Sequence, residues 1–109
     1  MPPPDDLIRL RHLRDAAQKA ITFSVGKTRA SLDDDELLRL ALTKLVEIVG
    51  EAAKQITDDT RRERPTVPWT AAARMRDRLV HHYFDIDLDV LWATIQHDLP
   101  DLIDRLDRE

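Results

Sequence analysis

The chain has 109 residues, no cysteine, two glycines and 5% aromatic residues, and its 17 basic and 21 acidic side chains leave a formal charge of −4. That length suits one domain around one hydrophobic core, the lack of cysteine excludes disulfides, thiol nucleophiles and thiolate metal sites, and the acidic balance argues against indiscriminate polyanion binding. Abundant aliphatic residues beside so few glycines and aromatics predict long helices and an all-α fold.

The start, MPPPDD, has no charged segment leading into an apolar run, and no stretch approaches the roughly 18 apolar residues that cross a bilayer. A cytoplasmic protein without membrane contact is expected, as a single domain over residues 1–109 with 1–5 disordered. Asp5 or Asp6 is expected to cap a first helix, in which Leu7, Leu10, Leu13, Ala17, Ala20 and Ile21 recur at three- and four-residue steps. It should end between Ser24 and Gly26. Ser31 or Asp33 announces a longer second helix with acidic residues in its first turn and a stripe of Leu38, Leu42, Leu45, Val49, Ala52 and Ile56. Leu37, Ala41 and Ile48 widen that stripe, which implies burial against more than one neighbour, a second copy of the chain being one candidate.

The segment TDDTRRERPTVPW, residues 57–69, breaks the periodicity. A short helix ending before Arg64 fits it, because the residue preceding Pro65 is biased away from the α region. Thr66, Pro68 and Trp69 then begin a third helix with Ala72, Met75 and Leu79 inward. FDIDLD, residues 84–89, reads as a turn whose Asp87 caps a fourth helix carrying Val90, Leu91 and Ile95. Leu99 to Leu106 adds a final turn or two, with Pro100 tolerated as a first helical residue. Four or five helices with short loops make an antiparallel bundle the economical arrangement.

Charge is unevenly placed. From Arg61 to His82, six arginines (61, 62, 64, 74, 76, 78) stand against Glu63 and Asp77, a local +4 that leaves −8 elsewhere. Such a zone can admit a phosphodiester, although exposed helix faces also carry arginine for solubility alone. Gly26 and Gly50 supply no phosphate loop, and Ser24 and Ser31 have no visible triad partners. His81 and His82 are adjacent, about 100° apart on a helix, and cannot grip an ion as an i, i+4 pair does. His12 and His97 lie on other helices, so no metal and no cofactor is expected.

What remains in RMRDRLVHHYF, residues 74–84, is Arg76, Asp77, His81 and Tyr83. Metal-free cleavage of a ribose phosphodiester by its own 2′-hydroxyl needs a proton acceptor, a proton donor and fixed positive charge. Histidine serves either proton role near neutrality, and arginine presents permanently charged planar donors to phosphate oxygens. Asp77, four residues before His81, can accept a ring N–H bond and fix the tautomer.

The spacing Arg76, four residues, His81, one residue, Tyr83 resembles the R-x-x-x-x-H-x-Y signature of HEPN domains, in particular the HepT toxin family. ELLRLALTKLVEIVGEA (36–52), VPW (67–69), MRDRLVHHYFDIDLDVLW (75–92) and HDLP (97–100) resemble that family in order and spacing, over most of the chain from about residue 7. Many relatives carry asparagine where this chain has Asp77. The resemblance implies a HEPN-like, homodimeric, all-α ribonuclease whose Arg and His from both protomers line a cleft at the dimer interface. It would be the toxin of a type VII-like toxin–antitoxin module and would act on RNA, tRNA or mRNA. The resemblance also implies an MntA-type minimal nucleotidyltransferase antitoxin that silences the toxin by adding AMP to the motif tyrosine. Carried over, Arg76 binds and polarises phosphate, His81 is the acid or base and Tyr83 the AMPylation acceptor. Asp77, Arg78 and His82 are not fixed by the motif and stand as supporting candidates.

Positions five apart differ by about 140° around a regular helix, so Arg76 and His81 do not share a face. A two-fold interface can reunite them across protomers, or the helix can loosen at His81. If the helix continues, His82 falls on the side of Met75 and Leu79, which predicts a core histidine rather than a catalyst. Glu47 and Glu51 are expected to form a solvated face beside Lys44 and Lys54, or to hold cationic groups of the third helix. Trp69 and Trp92 read as core or interface anchors. The alternative to a nuclease is a noncatalytic helical dimer that serves as binding partner or modification substrate of a nucleotidyltransferase.

Overall fold

The computed structural model describes residues 2–82 and 85–108. Helix α1 spans Pro4–Ser24, α2 Ser31–Asp34, α3 Glu36–Gln55, α4 Asp58–Glu63, α5 Trp69–Ala73 and α6 Met75–Leu79. Strands β1 (Val80–His82) and β2 (Asp85–Ile86) follow, then α7 (Leu88–Ala93), a π-helical turn (Thr94–Asp98) and α8 (Leu99–Arg108). The chain is a helical bundle with one small two-stranded ribbon at the end of α6.

The core lies where α1 and α3 pack together, with α5 and α6 against α3 and α8 against α1. Leu38, Leu42, Leu45, Val49, Ala52 and Ile56 are all buried, as the spacing predicts, and so are Leu13, Ala17 and Ala20 of α1. The residues that widen the stripe differ: Ala41 and Ile48 are partly buried, whereas Leu37 is 80% exposed, and Leu40, outside that stripe, is 58% exposed. Ala72, Met75 and Leu79 face inward as expected, beside Leu91, Ile95 and Leu99 of the C-terminal helices.

The helix ends depart from the simple reading. Helix α1 begins at Pro4, inside the stretch expected to be disordered, and proline suits that first helical position because its missing N–H has no acceptor there. Asp5 and Asp6 are therefore in the first turn and do not cap α1. Asp6 instead serves another helix. Its buried carboxylate accepts hydrogen bonds from the Thr57 backbone N–H (3.3 Å), the Thr57 hydroxyl (2.6 Å) and the Thr60 hydroxyl (2.6 Å), at the start of α4. Burial pushes this carboxyl up, but the threonine bonds and the nearby Arg9 outweigh it and hold the group below the usual carboxylate range.

Neither Ser31 nor Asp33 caps the long helix: α2 is a single turn, and Asp35 caps α3 by accepting the Leu38 N–H at 3.0 Å. Three consecutive aspartates compete for backbone donors, which favours a break and a cap over helix continuation. Gly26, with φ of 77°, reverses the chain after α1 in the left-handed region that glycine enters without penalty.

The expected third helix is divided by a turn at Arg74, and it stops at Leu79. Beyond it, α7, the π turn and α8 form one rod, with Asp87 capping its start through the Val90 N–H at 3.1 Å, as expected. In the π turn the Leu99 N–H reaches the Thr94 carbonyl, five residues back. Pro100 lacks an N–H and its ring crowds the carbonyl four residues earlier; the wider turn relieves both problems, so the helix passes through instead of starting anew. At the other end, Arg14 makes a two-pronged pair with Asp107, both bonds 2.8 Å, tying α1 to α8 and holding that carboxyl below its usual range. Among the described residues no helix is long and apolar enough to cross a membrane.

Candidate active site

Arg76 and His81 come from different local structures. Arg76 stands in α6, facing α3, where its guanidinium is 4.0 Å from Glu47 and 3.7 Å from Asp77. His81 lies in β1, past the end of the helix. β-Branched Val80 favours extended backbone, and the Leu79 carbonyl accepts the Asp87 N–H at 2.7 Å instead of a helical donor. The ribbon pairs Val80 with Ile86 and His82 with Asp85, with an irregularity between Val80 and His82. An irregular step of this kind re-aims the side chain it carries.

That side chain meets Asp87. His81 Nε2 is 3.3 Å from Asp87 Oδ2, with the histidine 59% exposed and the aspartate 29% exposed. The Val90 N–H holds the Asp87 carboxyl below its usual range, a modest burial opposes this, and the His81 ring adds to the lowering. Asp77, the carboxylate expected to orient His81, lies instead 4.0 Å from Lys54 and beside Arg76. The reason is the helix end at Leu79: without helical backbone at residue 81, the four-residue spacing no longer stacks Asp77 and His81. Sequence reading identified Asp87 as a cap and missed its second role. The signal was the short return between Leu79 and Asp87, which a hairpin closes.

His82 is exposed on the ribbon, so the expected core position is corrected for the same reason. Arg78 is 3.7 Å from Asp98 of the π turn. Tyr83, the expected AMPylation acceptor, lies outside the described residues. Glu47 and Glu51 do both things expected of them: they lie 3.9 Å from Lys44 and 3.7 Å from Lys54, and Glu47 also faces Arg76.

Much of the basic zone is architectural. Arg61 donates to the Ala53 and Ile56 carbonyls at the end of α3, Arg64 donates to the Leu106 carbonyl, and Arg62 pairs with Asp59. Trp69 is buried, its indole N–H on the Arg64 carbonyl at 3.1 Å. Among the described residues no hydrogen bond or ion pair joins Arg76 to His81, and no group of His, Asp and Glu is placed to hold a metal. Beside the ribbon lies an open hollow of about 370 Å³, floored by Leu40, Ile86 and Leu88 and rimmed by Glu36, Arg39 and Asp85.

An exposed imidazole beside a carboxylate and a partly exposed guanidinium stand on neighbouring elements, groups whose chemistry suits proton transfer and phosphate binding. The model of the ribonuclease HepT-like family matches residues 13–109, a span that contains both groups. The chain belongs to that family. Similar proteins include a probable ribonuclease HepT of Thermococcus cleftensis, 46% identical over 68 residues, which are 62% of this chain and 62% of that protein. A candidate RNase of Methanocaldococcus jannaschii is 30% identical over 107 residues, 98% of this chain and 88% of its own length. Another, from Caldanaerobacter subterraneus subsp. tengcongensis, is 32% identical over 93 residues, 85% and 83% of the two chains. No solved structure matches the HepT-like chain significantly.

Proposed function

We propose that this HepT-like chain is a metal-independent RNA endonuclease, the toxin of a two-gene toxin–antitoxin module acting in the cytoplasm on tRNA or mRNA. The observation that carries the proposal is the family match over 13–109, which spans Arg76, His81 and Tyr83. In this reading Arg76 neutralises the phosphate, and His81 moves the proton of the attacking 2′-hydroxyl or of the departing oxygen, leaving a cyclic phosphate or its hydrolysed 3′-phosphate. Asp77 and Arg78 follow Arg76 on the same helix and His82 follows His81; as supporting residues, Arg78 adds positive charge and Asp77 tempers that of Arg76.

The catalytic pair acts as a composite across a homodimer. The separate settings of Arg76 and His81 within one chain support this, and so do Leu37 and Leu40, whose exposure suits a second copy. An MntA-type nucleotidyltransferase silences the toxin by adding AMP to Tyr83.

Incubating the purified chain with cellular RNA in EDTA, beside Arg76→Ala and His81→Ala, tests the nuclease reading. Cleavage by the native chain and a loss of at least about 100-fold in each variant are expected. Equal cleavage by all three, or none by the native chain, sinks it. A second reading, a noncatalytic dimer that binds or is modified by a nucleotidyltransferase, rests on the same exposed leucines; the alanine variants would then lose complex formation and no cleavage would exist to lose. Mixing with the partner and ATP should add AMP to the native chain and not to Tyr83→Phe.

A further inference from the structure

Asp87 is immobilised before it meets His81. Its backbone N–H donates to the Leu79 carbonyl at 2.7 Å, and its Oδ1 accepts the Val90 N–H at 3.1 Å as the cap of α7. The first bond anchors the backbone and the second occupies Oδ1, leaving Oδ2 at 3.3 Å from His81 Nε2. A carboxylate accepts and does not donate, so the imidazole nitrogen facing it must carry the hydrogen. In the neutral ring only one nitrogen carries a proton, and the other offers its lone pair.

We propose that Asp87 is the positioning residue for His81: it holds the imidazole as the Nε2–H tautomer, so that the proton exchanged during RNA cleavage is carried at Nδ1. The inference rests on the nuclease reading and adds to it the working atom and the residue that selects it. When His81 acts as base, the 2′-hydroxyl proton passes to Nδ1, giving an imidazolium whose Nε2–H remains on Asp87. When it acts as acid, that Nδ1 proton passes to the departing oxygen and the neutral Nε2–H form returns. In neither step does Asp87 take a proton, which agrees with a carboxyl held below its usual range.

The geometry makes Asp87→Asn a sharp test. Asparagine caps a helix about as well as aspartate, so its Oδ1 can keep the Val90 bond. The amide NH₂ then faces His81 as a donor, which demands a lone pair at Nε2 and moves the ring hydrogen to Nδ1. Asp87→Ser keeps a capping hydroxyl while withdrawing the partner, and should leave a mixture of tautomers. Long-range ¹H–¹⁵N spectra of the labelled full chain, recorded where His81 is neutral, read the ring hydrogen directly.

The expected result is Nε2–H in the native chain, Nδ1–H in Asp87→Asn, melting temperatures close to native in both variants, and cleavage by Asp87→Asn lowered in kcat by about 10²- to 10⁴-fold with KM little changed. An Nδ1–H ring in the native chain, or the same tautomer in the native chain and Asp87→Asn, overturns the proposal. So does full cleavage by an Asp87→Asn chain whose tautomer has switched. A native chain that cleaves no RNA removes the nuclease reading and with it the assignment of a working atom, while the ring-hydrogen measurement still decides the His81–Asp87 pairing.

Discussion

Asp6 and Thr60, 54 positions apart, meet through a 2.6 Å hydrogen bond that fastens the first turn of α1 to the first turn of α4. Because the same carboxylate also serves Thr57, removing it strands the buried Thr60 hydroxyl and two part-buried donors of Thr57. Asp6→Ala is expected to cost about 2 to 4 kcal/mol in denaturant unfolding. The folded carboxyl is held lower than in the unfolded chain, so its stabilisation is complete above the unfolded value of about 4 and fades as pH falls through the folded one. Asp6→Asn should flatten that acid limb. A variant as acid-sensitive as the native chain would remove Asp6 from the account.

Two carboxylates stand near Arg76, Glu47 at 4.0 Å and Asp77 at 3.7 Å, and would compete with the phosphate of the proposed substrate. Neither distance is that of a tight pair. In a His81→Ala background that leaves RNA intact, Glu47→Gln and Asp77→Asn are each expected to tighten RNA binding about two- to fivefold at low salt, an advantage that vanishes near 1 M salt. Fluorescence anisotropy measures it, and weaker binding would mean that these acids hold Arg76 in place instead of opposing its ligand.

Gly50 is buried where α3 crosses α5 and α6, yet a methyl group there would meet only ordinary contacts, 3.5 Å from the Ala73 carbonyl oxygen and 3.7 Å from Arg76 Cβ. Gly50→Ala should therefore stabilise the chain by about 0.5 to 1 kcal/mol, through helix propensity and a less flexible unfolded state. Destabilisation in the same unfolding assay would show that the crossing has no slack.

Leu37 and Leu40 stand exposed on α3, Leu40 at the edge of the hollow beside the ribbon. Replacing both with aspartate is expected to leave the melting temperature within a few degrees of native and to weaken self-association at least about 100-fold, as loss of two buried leucine side chains implies. Sedimentation across a concentration series reads this. An unchanged dimer would move the interface elsewhere.

The apolar faces were legible because helical periodicity is local: every member of the Leu38 to Ile56 stripe is buried, and Asp87 caps its helix as its position suggests. Features set by distant chain were not. Asp6 looks like a cap for α1 and acts on α4, since only the folded arrangement brings residues 57 and 60 to it. The ribbon was hidden within RMRDRLVHHYF, where Met75–Leu79 is helical and Val80–His82 turns extended as Leu79 finds its donor in Asp87. The spacing of Arg76 and His81 argued against a shared helical face, and the structure answers with a helix that stops between them.

The π turn at Thr94–Asp98 carries a further consequence for the imidazole at the other end of the rod. Deleting one residue there would press the Pro100 ring against the preceding turn and rotate α7 by about 100° against the leucines that seat α8. Asp87 would swing with it, away from His81. The surplus residue thus works as an angular setting for the carboxylate that faces His81.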